Sequence, residues 1–244
     1  MADIVEAVFF DLDDTLVHDG AGAAVRQAAA GLARVLPFTL EQILAANTDA
    51  WSGCWAEQGE RWMRGELPGD GLPRDIWRRT LSALGQDDPT LLDTAVELHL
   101  SAEPGAFRLY DETLGVLEAL RADGIPIGVI TNGPSDIQRR KLATVGIDSL
   151  FDVIVASGDI GILKPEPEIF RSALDRIGAD PARAVHVGDN FAADVVGASD
   201  AGMFAVWVNR AGSVAPDLGI PHHPAQSLVE VLAIAAPGRA RRAG

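Results

Sequence analysis

The sequence predicts an α/β protein, a three-layer core around a central parallel sheet that is interrupted once by an all-helical segment. Three observations predict it. Five short runs rich in Val, Ile and Phe end at glycine or polar residues, and the last four alternate with stretches of helical periodicity. More than 100 residues of different composition separate the first run from the second. Strands alternating with helices of this length form parallel sheets covered on both faces.

The first strand is Ala7–Phe10. The long gap after it is too large for a single crossover, and its pattern gives candidate helices at Gly20–Leu36, Thr39–Arg64, Arg74–Leu84 and Pro89–Glu103. Four of the five tryptophans, Trp51, Trp55, Trp62 and Trp77, fall there. A helix over Asp111–Asp123 leads back to strands at Ile127–Ile130, Val153–Ala156, Ala184–Val187 and Phe204–Val208. Helices at Ser135–Val145, Glu166–Ile177 and Asp194–Ala201 lie between them. Gly146, Gly178 and Gly202 follow helical runs, where a left-handed cap is needed, and Pro134, Pro165 and Pro167 sit near helix starts. The expected division is a discontinuous core, residues 1–17 and 106–244, with a helical cap at 18–105. The tail GRARRAG, residues 238–244, reads as a frayed end.

Composition narrows the function. The chain of 244 residues carries 20 basic and 35 acidic residues, a formal charge of 20 − 35 = −15. Such a charge repels phosphate polymers and anionic membrane surfaces, yet leaves room for a small phosphorylated ligand in one local site. The single cysteine, Cys54, allows no internal disulfide and fits a reducing cytoplasm. The first residues lack the basic start and apolar stretch of a secretory signal, and no run is long enough for a transmembrane helix. Only Lys141 and Lys164 are lysines. A GC-rich genome explains the scarcity, and it draws attention to both.

In a parallel α/β sheet, ligands bind beyond the carboxyl ends of the strands. The first strand ends in Asp11-Leu12-Asp13-Asp14-Thr15 and the second in Thr131-Asn132-Gly133. The third is followed by Lys164-Pro165, and the fourth ends in Gly188-Asp189-Asn190 with Asp194 five residues beyond Asp189. If these strands are neighbours, several carboxylates, one hydroxyl and one ammonium converge. Clustered carboxylates need protons or a cation, and oxygen donors with room for water suit Mg²⁺. A threonine hydroxyl, helix-start amides and a lysine add an anion site facing that metal. The set points to phosphoryl transfer through an aspartyl-phosphate.

DLDDT, ITNG, the lysine of LKPEPEIF and GDNFAAD, in that order, resemble the four motifs of the haloacid dehalogenase superfamily of hydrolases. The resemblance runs over almost the whole chain, and the detail of ITNGPSDIQRRKL and KPEPEIF is similar to small-metabolite phosphatases of the acylneuraminate-phosphatase and nucleotidase type. It implies a Rossmann-like core, a helical cap, Mg²⁺ as cofactor and a sugar phosphate or nucleoside monophosphate as substrate. Carried over by residue, it implies Asp11 as nucleophile and Asp13 as general acid, then base. Thr131 with the Asn132 amide and Gly133 would hold the phosphoryl group, and Lys164 would neutralise it. Asp11, the Asp13 carbonyl and Asp189 would ligate Mg²⁺, with Asp194 supporting the metal or Lys164. A phosphomutase, a phospho-aspartate receiver module and a haloacid dehalogenase are the rival readings. Asp13 argues against the last, because attack on carbon leaves no alkoxide to protonate. The oligomeric expectation is a monomer or homodimer.

Other residues have plainer readings. Asp14 reads as a helix N-cap, Lys141 as dispensable beside Arg139 and Arg140, and His186 as core. His222 and His223, being adjacent, are poor joint chelators, and His99 receives no role. His18 lies near the entry to the cap and could touch substrate. Cys54 reads as a packed thiol. Trp51, Trp55, Gln58 and Trp62 recur at steps of four, three and four, one helical stripe read as the cap's own core. The alternative places one or two of these indoles in the substrate pocket. Arg61, Arg64, Arg74, Arg78 and Arg79 read mainly as a solvated face from which one could reach a substrate anion.

Overall fold

A computed structural model of the protein describes residues 5–18 and 20–235, so the tail at 238–244 lies outside the described residues. Strand β1 (Ala7–Phe10) is fully buried and alternates its side chains between two cores. Beyond it the chain turns into a short strand, β2 (Val17–His18), then α1 (Ala21–Leu32), α2 (Leu40–Met63), α3 (Gly71–Ala83) and α4 (Pro89–Ala106). It returns through β3 (Arg108–Leu109), antiparallel to β2 with Val17 opposite Leu109. This two-strand ribbon is the stalk of the helical insertion. Gly20 stands at its neck, where a Cβ would come within 2.5 Å of the Ala106 carbonyl oxygen.

The rest of the chain alternates: α5 (Thr113–Ala122), β4 (Ile127–Thr131), α6 (Ser135–Thr144), β5 (Val153–Ala156), α7 (Ser157–Ile160), α8 (Pro167–Ile177) and β6 (Ala184–Gly188). Then come α9 (Gly197–Asp200), β7 (Phe204–Val208), β8 (His223–Ala225) and α10 (Val229–Ala235). The sheet order is β5-β4-β1-β6-β7-β8, all parallel. The chain builds outward from β1 to β5, then crosses back to lay β6 on the other side of β1. That reversal opens a crevice at the carboxyl ends of β1, β4 and β6, the place where such sheets bind ligands.

Period-two alternation explains the layers. Val8 and Phe10 pack with Leu117, Leu120 and Val231 on one face, while Ala7 and Phe9 pack with Phe170, Ala173 and Val195 on the other. The insertion has its own core of Leu32, Ile43, Trp77, Leu81 and Val96. Each large side chain buried in this way contributes roughly 1.5–3 kcal/mol.

The differences from sequence expectation have local causes. The first inserted helix ends at Leu32 rather than Leu36, since Pro37 disfavours helical backbone in the residue before it. The third begins at Gly71, because Pro73 is tolerated in a first turn. The second begins at Leu40, capped by Thr39: Thr39 Oγ1 accepts from the Gln42 amide at 3.3 Å, and Gln42 Oε1 accepts from the Thr39 amide at 2.8 Å. The segment expected as Asp194–Ala201 is a π-helical turn, Phe191–Val196, followed by α9. Strand β8 has no sequence signature, being a three-residue edge that contains a proline. Asp14 opens no helix among the described residues; it sits in the turn after β1 at φ 57°, a left-handed conformation that Asp tolerates, with its amide donating to the Val17 carbonyl at 2.7 Å. Among the described residues, no helix is long and apolar enough to cross a membrane.

Candidate active site

Buried strands β1, β4 and β6 carry their last residues to one edge, and the polar side chains there meet. Asp11 follows β1, and its amide donates to the Val187 carbonyl at 2.8 Å, which sets its height beside β6. Lys164 comes in from the loop after α7 with only 5% of its surface exposed. Its Nζ stands 2.6 Å from Asp11 Oδ1 and 2.6 Å from Asp194 Oδ1. Its backbone is clamped by Asn132, whose Oδ1 accepts from the Lys164 amide at 2.8 Å and whose Nδ2 donates to the Lys164 carbonyl at 3.0 Å. The Asn132 side chain therefore positions the lysine.

Asp194 reaches this point because the residue facing it is glycine: a Cβ at Gly188 would stand 2.2 Å from Asp194 Cγ. Asp194 Oδ1 also meets His186 Nε2 at 3.0 Å, and Oδ2 accepts from the Asn190 amide at 3.0 Å. Asp189 is held by Thr15 Oγ1, 3.3 Å from its Oδ1, and by the Trp207 indole, which donates to its carbonyl at 2.8 Å. Carboxylate oxygens of Asp11, Asp189 and Asp194 all lie within 4.8 Å of one another. Three carboxylates face one ammonium.

The electrostatics follow from that imbalance. Burial drives the Asp11 carboxyl up to about 8, with Lys164 opposing and Asp194 reinforcing the rise. Asp189 is pushed up to about 6 by burial and by the negative charges of Asp194 and Asp14. Burial would likewise raise Asp194, but Lys164 and His186 outweigh it and hold Asp194 well below the usual carboxylate range. Burial would depress Lys164, but Asp11 and Asp194 overcome it and keep the ammonium charged. Burial lowers the His186 imidazole.

Asp13 lies on the other side of Asp11's turn. Its Oδ1 and Oδ2 accept from Lys141 Nζ at 2.7 and 2.8 Å, and Oδ2 also accepts from Gln138 Nε2 at 3.0 Å. The same Gln138 nitrogen donates to Thr131 Oγ1 at 2.6 Å. The expectation that Lys141 is dispensable is thus corrected: α6 starts directly after the ITNG turn and aims one face at the β1 edge. Residues 138 and 141 share that face by their i, i+3 spacing, the one sequence signal that could have found them. The Gly133 amide donates to Ser157 Oγ at 2.8 Å, and Gly133 turns the chain beside the cleft at φ 148°.

Above Asp13 lies a cleft of about 290 Å³ between the insertion and the core. Trp51, Trp55 and Trp62 line it, with Asn132, Gln138 and Lys141 on the core side. The stripe is core only in part: Trp62 packs on the insertion's smaller core of Cys54, Leu72 and Ile76 while also lining the pocket, whereas Trp51 and Trp55 are exposed to it and the main core is built around Trp77. None of Arg61, Arg64, Arg74, Arg78 and Arg79 lines this cleft. They form ion pairs, and Arg64 ties α2 to the core through the Gly161 carbonyl at 2.7 Å and Glu166 at 2.7 Å. His18 packs on Tyr110, ring centroids 3.7 Å apart, instead of entering the cleft. His186 is core, as read, but it also holds Asp194. Cys54 is buried, with burial and then Asp75 pushing its thiol up to about 11, which makes it inert.

A parallel sheet whose switch-point edge gathers an Asp-Lys-Asp bridge and a neighbouring third carboxylate defines an acidic α/β site whose carboxylate oxygens could hold a cation. The family model for haloacid dehalogenase-like hydrolases matches residues 5–202. The chain belongs to that family. It is 32% identical over 208 residues to a glyceraldehyde 3-phosphate phosphatase of Methanothermobacter thermautotrophicus, covering 84% of this chain and 86% of the relative. It is 30% identical over 238 residues to the N-acylneuraminate-9-phosphatase of Rattus norvegicus, covering 94% and 93%. Among solved structures, a 2-haloacid dehalogenase from Pseudomonas syringae pv. Tomato superposes with a TM-score of 0.71 at 30% identity, covering 96% of this chain and all of that one.

Proposed function

We propose that the protein is a Mg²⁺-dependent phosphatase of a small phosphomonoester, working through an aspartyl-phosphate on Asp11. The observation that carries this reading is the bridge Asp11–Lys164–Asp194, with Lys164 Nζ 2.6 Å from both carboxylates. It leaves Asp11 Oδ2 as the attacking oxygen and supplies a charge beside the transferring phosphoryl group. Asp13 stands two residues on, facing the cleft. The phosphatases among its relatives support phosphate esters over haloacids.

The residues fit a hard divalent cation. Asp11 and Asp189 are both pushed up, chiefly by burial and then by neighbouring carboxylates, and their oxygens suit Mg²⁺. They would hold it with the Asp13 carbonyl, while Asp194, occupied by Lys164, His186 and the Asn190 amide, fixes Lys164 in place. When bound, Mg²⁺ supplies charge neutralisation and orients the phosphoryl oxygens.

In the first step Asp11 Oδ2 forms a bond to phosphorus, the bond to the alcohol oxygen breaks, and Asp13 passes a proton to that oxygen. In the second step water attacks phosphorus and gives its proton to Asp13, and the bond to Asp11 breaks to release phosphate. The proton transfers contribute roughly 10²–10⁴-fold, and positioning by Lys164, Thr131 and the Asn132 amide supplies most of the rest. Residues 18–105 act as a cap over a core of 1–17 and 106–244, excluding bulk water. The single buried cysteine supports a cytoplasmic setting.

The test is phosphate release from a panel of phosphorylated metabolites with and without Mg²⁺. Mg²⁺-stimulated release without any phosphoryl donor is expected, and Asp11→Asn should abolish it. Sustained turnover by a clean Asp11→Asn preparation would overturn the nucleophile assignment. A requirement for a phosphoryl donor would favour a phosphomutase.

A further inference from the structure

The cleft above Asp13 differs in chemistry from the charged edge beneath it. Trp51 and Trp55 stack with ring centroids 5.2 Å apart and 9° between their planes, and Trp62 meets Trp55 edge-on at 6.4 Å. Trp51 is 46% and Trp55 36% exposed, although the insertion has cores of its own in which to bury them. Gly59 lies under Trp55, and a Cβ there would stand 2.8 Å from the indole. A glycine in the interior of α2 is unfavourable for the helix, and here it lets the ring lie flat against it. Leu72, Ile76 and Phe107 complete an apolar wall.

The charges in the cleft are already spent. Lys141 is the only Lys or Arg among the described residues lining it, and both oxygens of Asp13 engage it. Glu103 is matched by Arg140 at 2.7 Å and approached by His99 Nε2 at 3.5 Å. A second acidic group on a ligand would find no uncommitted cation here, and would meet Asp13, Asp14 and Glu103. His99 keeps one polar atom, Nδ1, with no hydrogen-bond partner among the described residues.

We propose that this cleft is a leaving-group subsite for a neutral alcohol built on a flat apolar ring, so that the preferred substrates are phosphomonoesters of such alcohols. Small phosphates bearing a carboxylate or a second phosphate are disfavoured. This rests on the phosphatase reading above. Size agrees: a cavity of about 150 Å³ holds benzene, so about 290 Å³ accommodates one or two rings. Stacked indoles offer the flat apolar surface that such a ring needs.

The test compares esters whose leaving groups are all primary alcohols, so that intrinsic reactivity is matched. With Mg²⁺ present, kcat/KM for 2-(2-naphthyl)ethyl phosphate and 2-phenylethyl phosphate should exceed that for glycerol 3-phosphate and phosphoglycolate by at least about tenfold. Trp51→Ala should shrink that ratio about tenfold, and Trp55→Leu is the second variant if the first folds poorly. Binding of the matching non-hydrolysable arylalkyl phosphonate, measured by calorimetry against 2-hydroxyethylphosphonate, gives a readout independent of turnover. Tighter arylalkyl binding by at least about tenfold is expected. Equal or reversed affinity, or a ratio untouched by both Trp variants, overturns the subsite. Absence of turnover with every ester, alongside selective arylalkyl binding, would sink the phosphatase reading and leave the subsite standing.

Discussion

Lys141 Nζ lies 2.7 and 2.8 Å from the two carboxylate oxygens of Asp13, joining residues 128 positions apart in the chain. Gln138, one turn earlier on α6, adds a third hydrogen bond at 3.0 Å. Asp13 is thereby fixed in both position and plane, which suits the proton-transfer role proposed for it. Misplacement of a reacting group by about 1 Å can cost on the order of 10²-fold. Lys141→Met is expected to lower kcat by about 10–100-fold with a smaller change in KM. The discriminating measurement is a double-mutant cycle with Asp13→Asn. If Lys141 acts through Asp13, it costs little more in that background, whereas fully additive losses would assign it to another partner.

Lys164 carries a heavier electrostatic duty. It is the ammonium between Asp11 and Asp194, which are 7% and 1% exposed. Lys164→Met leaves buried carboxylates without that partner, a change that costs about 3–5 kcal/mol. For a chain of this size the melting temperature should fall by roughly 6–20 °C. Lys164→Arg keeps the charge but replaces a compact ammonium that contacts two carboxylates with a planar fork. It should retain more stability than Lys164→Met and lose most turnover. Full activity in Lys164→Arg would show that charge alone suffices at this position.

What was legible in the sequence divides along physical lines. The strands, most helices and the four motif segments are local patterns, and the parallel α/β architecture follows from their alternation. Chain topology alone brings Asp11, Thr131, Lys164 and Asp189 to one sheet edge, so their meeting could be anticipated. Lys141 looked idle because a helical lysine reads as solvated until it is known which helix face turns inward. The Trp51–Trp55 stripe was legible as a stripe, but its direction depends on how α2 packs on α3 and how the insertion sits on the core. His186 and Thr15 were invisible for a similar reason: each acts through one hydrogen bond to a residue brought near only by folding.

Glu103 on α4 and Arg140 on α6 form a 2.7 Å ion pair between insertion and core. Burial would raise the Glu103 carboxyl, but the His99 hydrogen bond and Arg140 outweigh it and hold it below its ordinary 4.5. A carboxyl lowered in the folded state contributes stability above its unfolded value and loses it as pH falls through the folded one. Glu103→Gln should therefore destabilise the protein by about 1 kcal/mol at pH 7, a figure reduced by the partial exposure of Arg140. The difference in denaturation midpoint between wild type and variant should shrink as pH falls below about 4.5. A difference that grows as pH falls below that value would contradict the pairing.

Arg64, one residue beyond the cleft-lining Met63, ties the insertion to the core. Its guanidinium donates to the Gly161 carbonyl and to Glu166 on the core, each at 2.7 Å, while Glu60 steadies it from its own helix at 2.8 Å. Beside it Ser157 donates to the Met63 carbonyl at 2.6 Å, and Gly65 turns the chain at φ 74° against Gly158, where a Cβ would meet a carbonyl oxygen at 2.7 Å. Arg64→Ala removes two charge-assisted ties between the insertion and the core, on the order of 1 kcal/mol each after allowance for solvent. The insertion keeps its own core around Leu32 and Trp77, so the loss should appear as opening rather than unfolding. Small-angle scattering should show a larger radius of gyration, with KM raised about tenfold and the melting temperature lowered by only a few degrees. Arg64→Lys, able to keep one tie, should fall between the two. Unchanged scattering together with unchanged KM would mean that the ribbon of β2 and β3, not Arg64, holds the insertion closed.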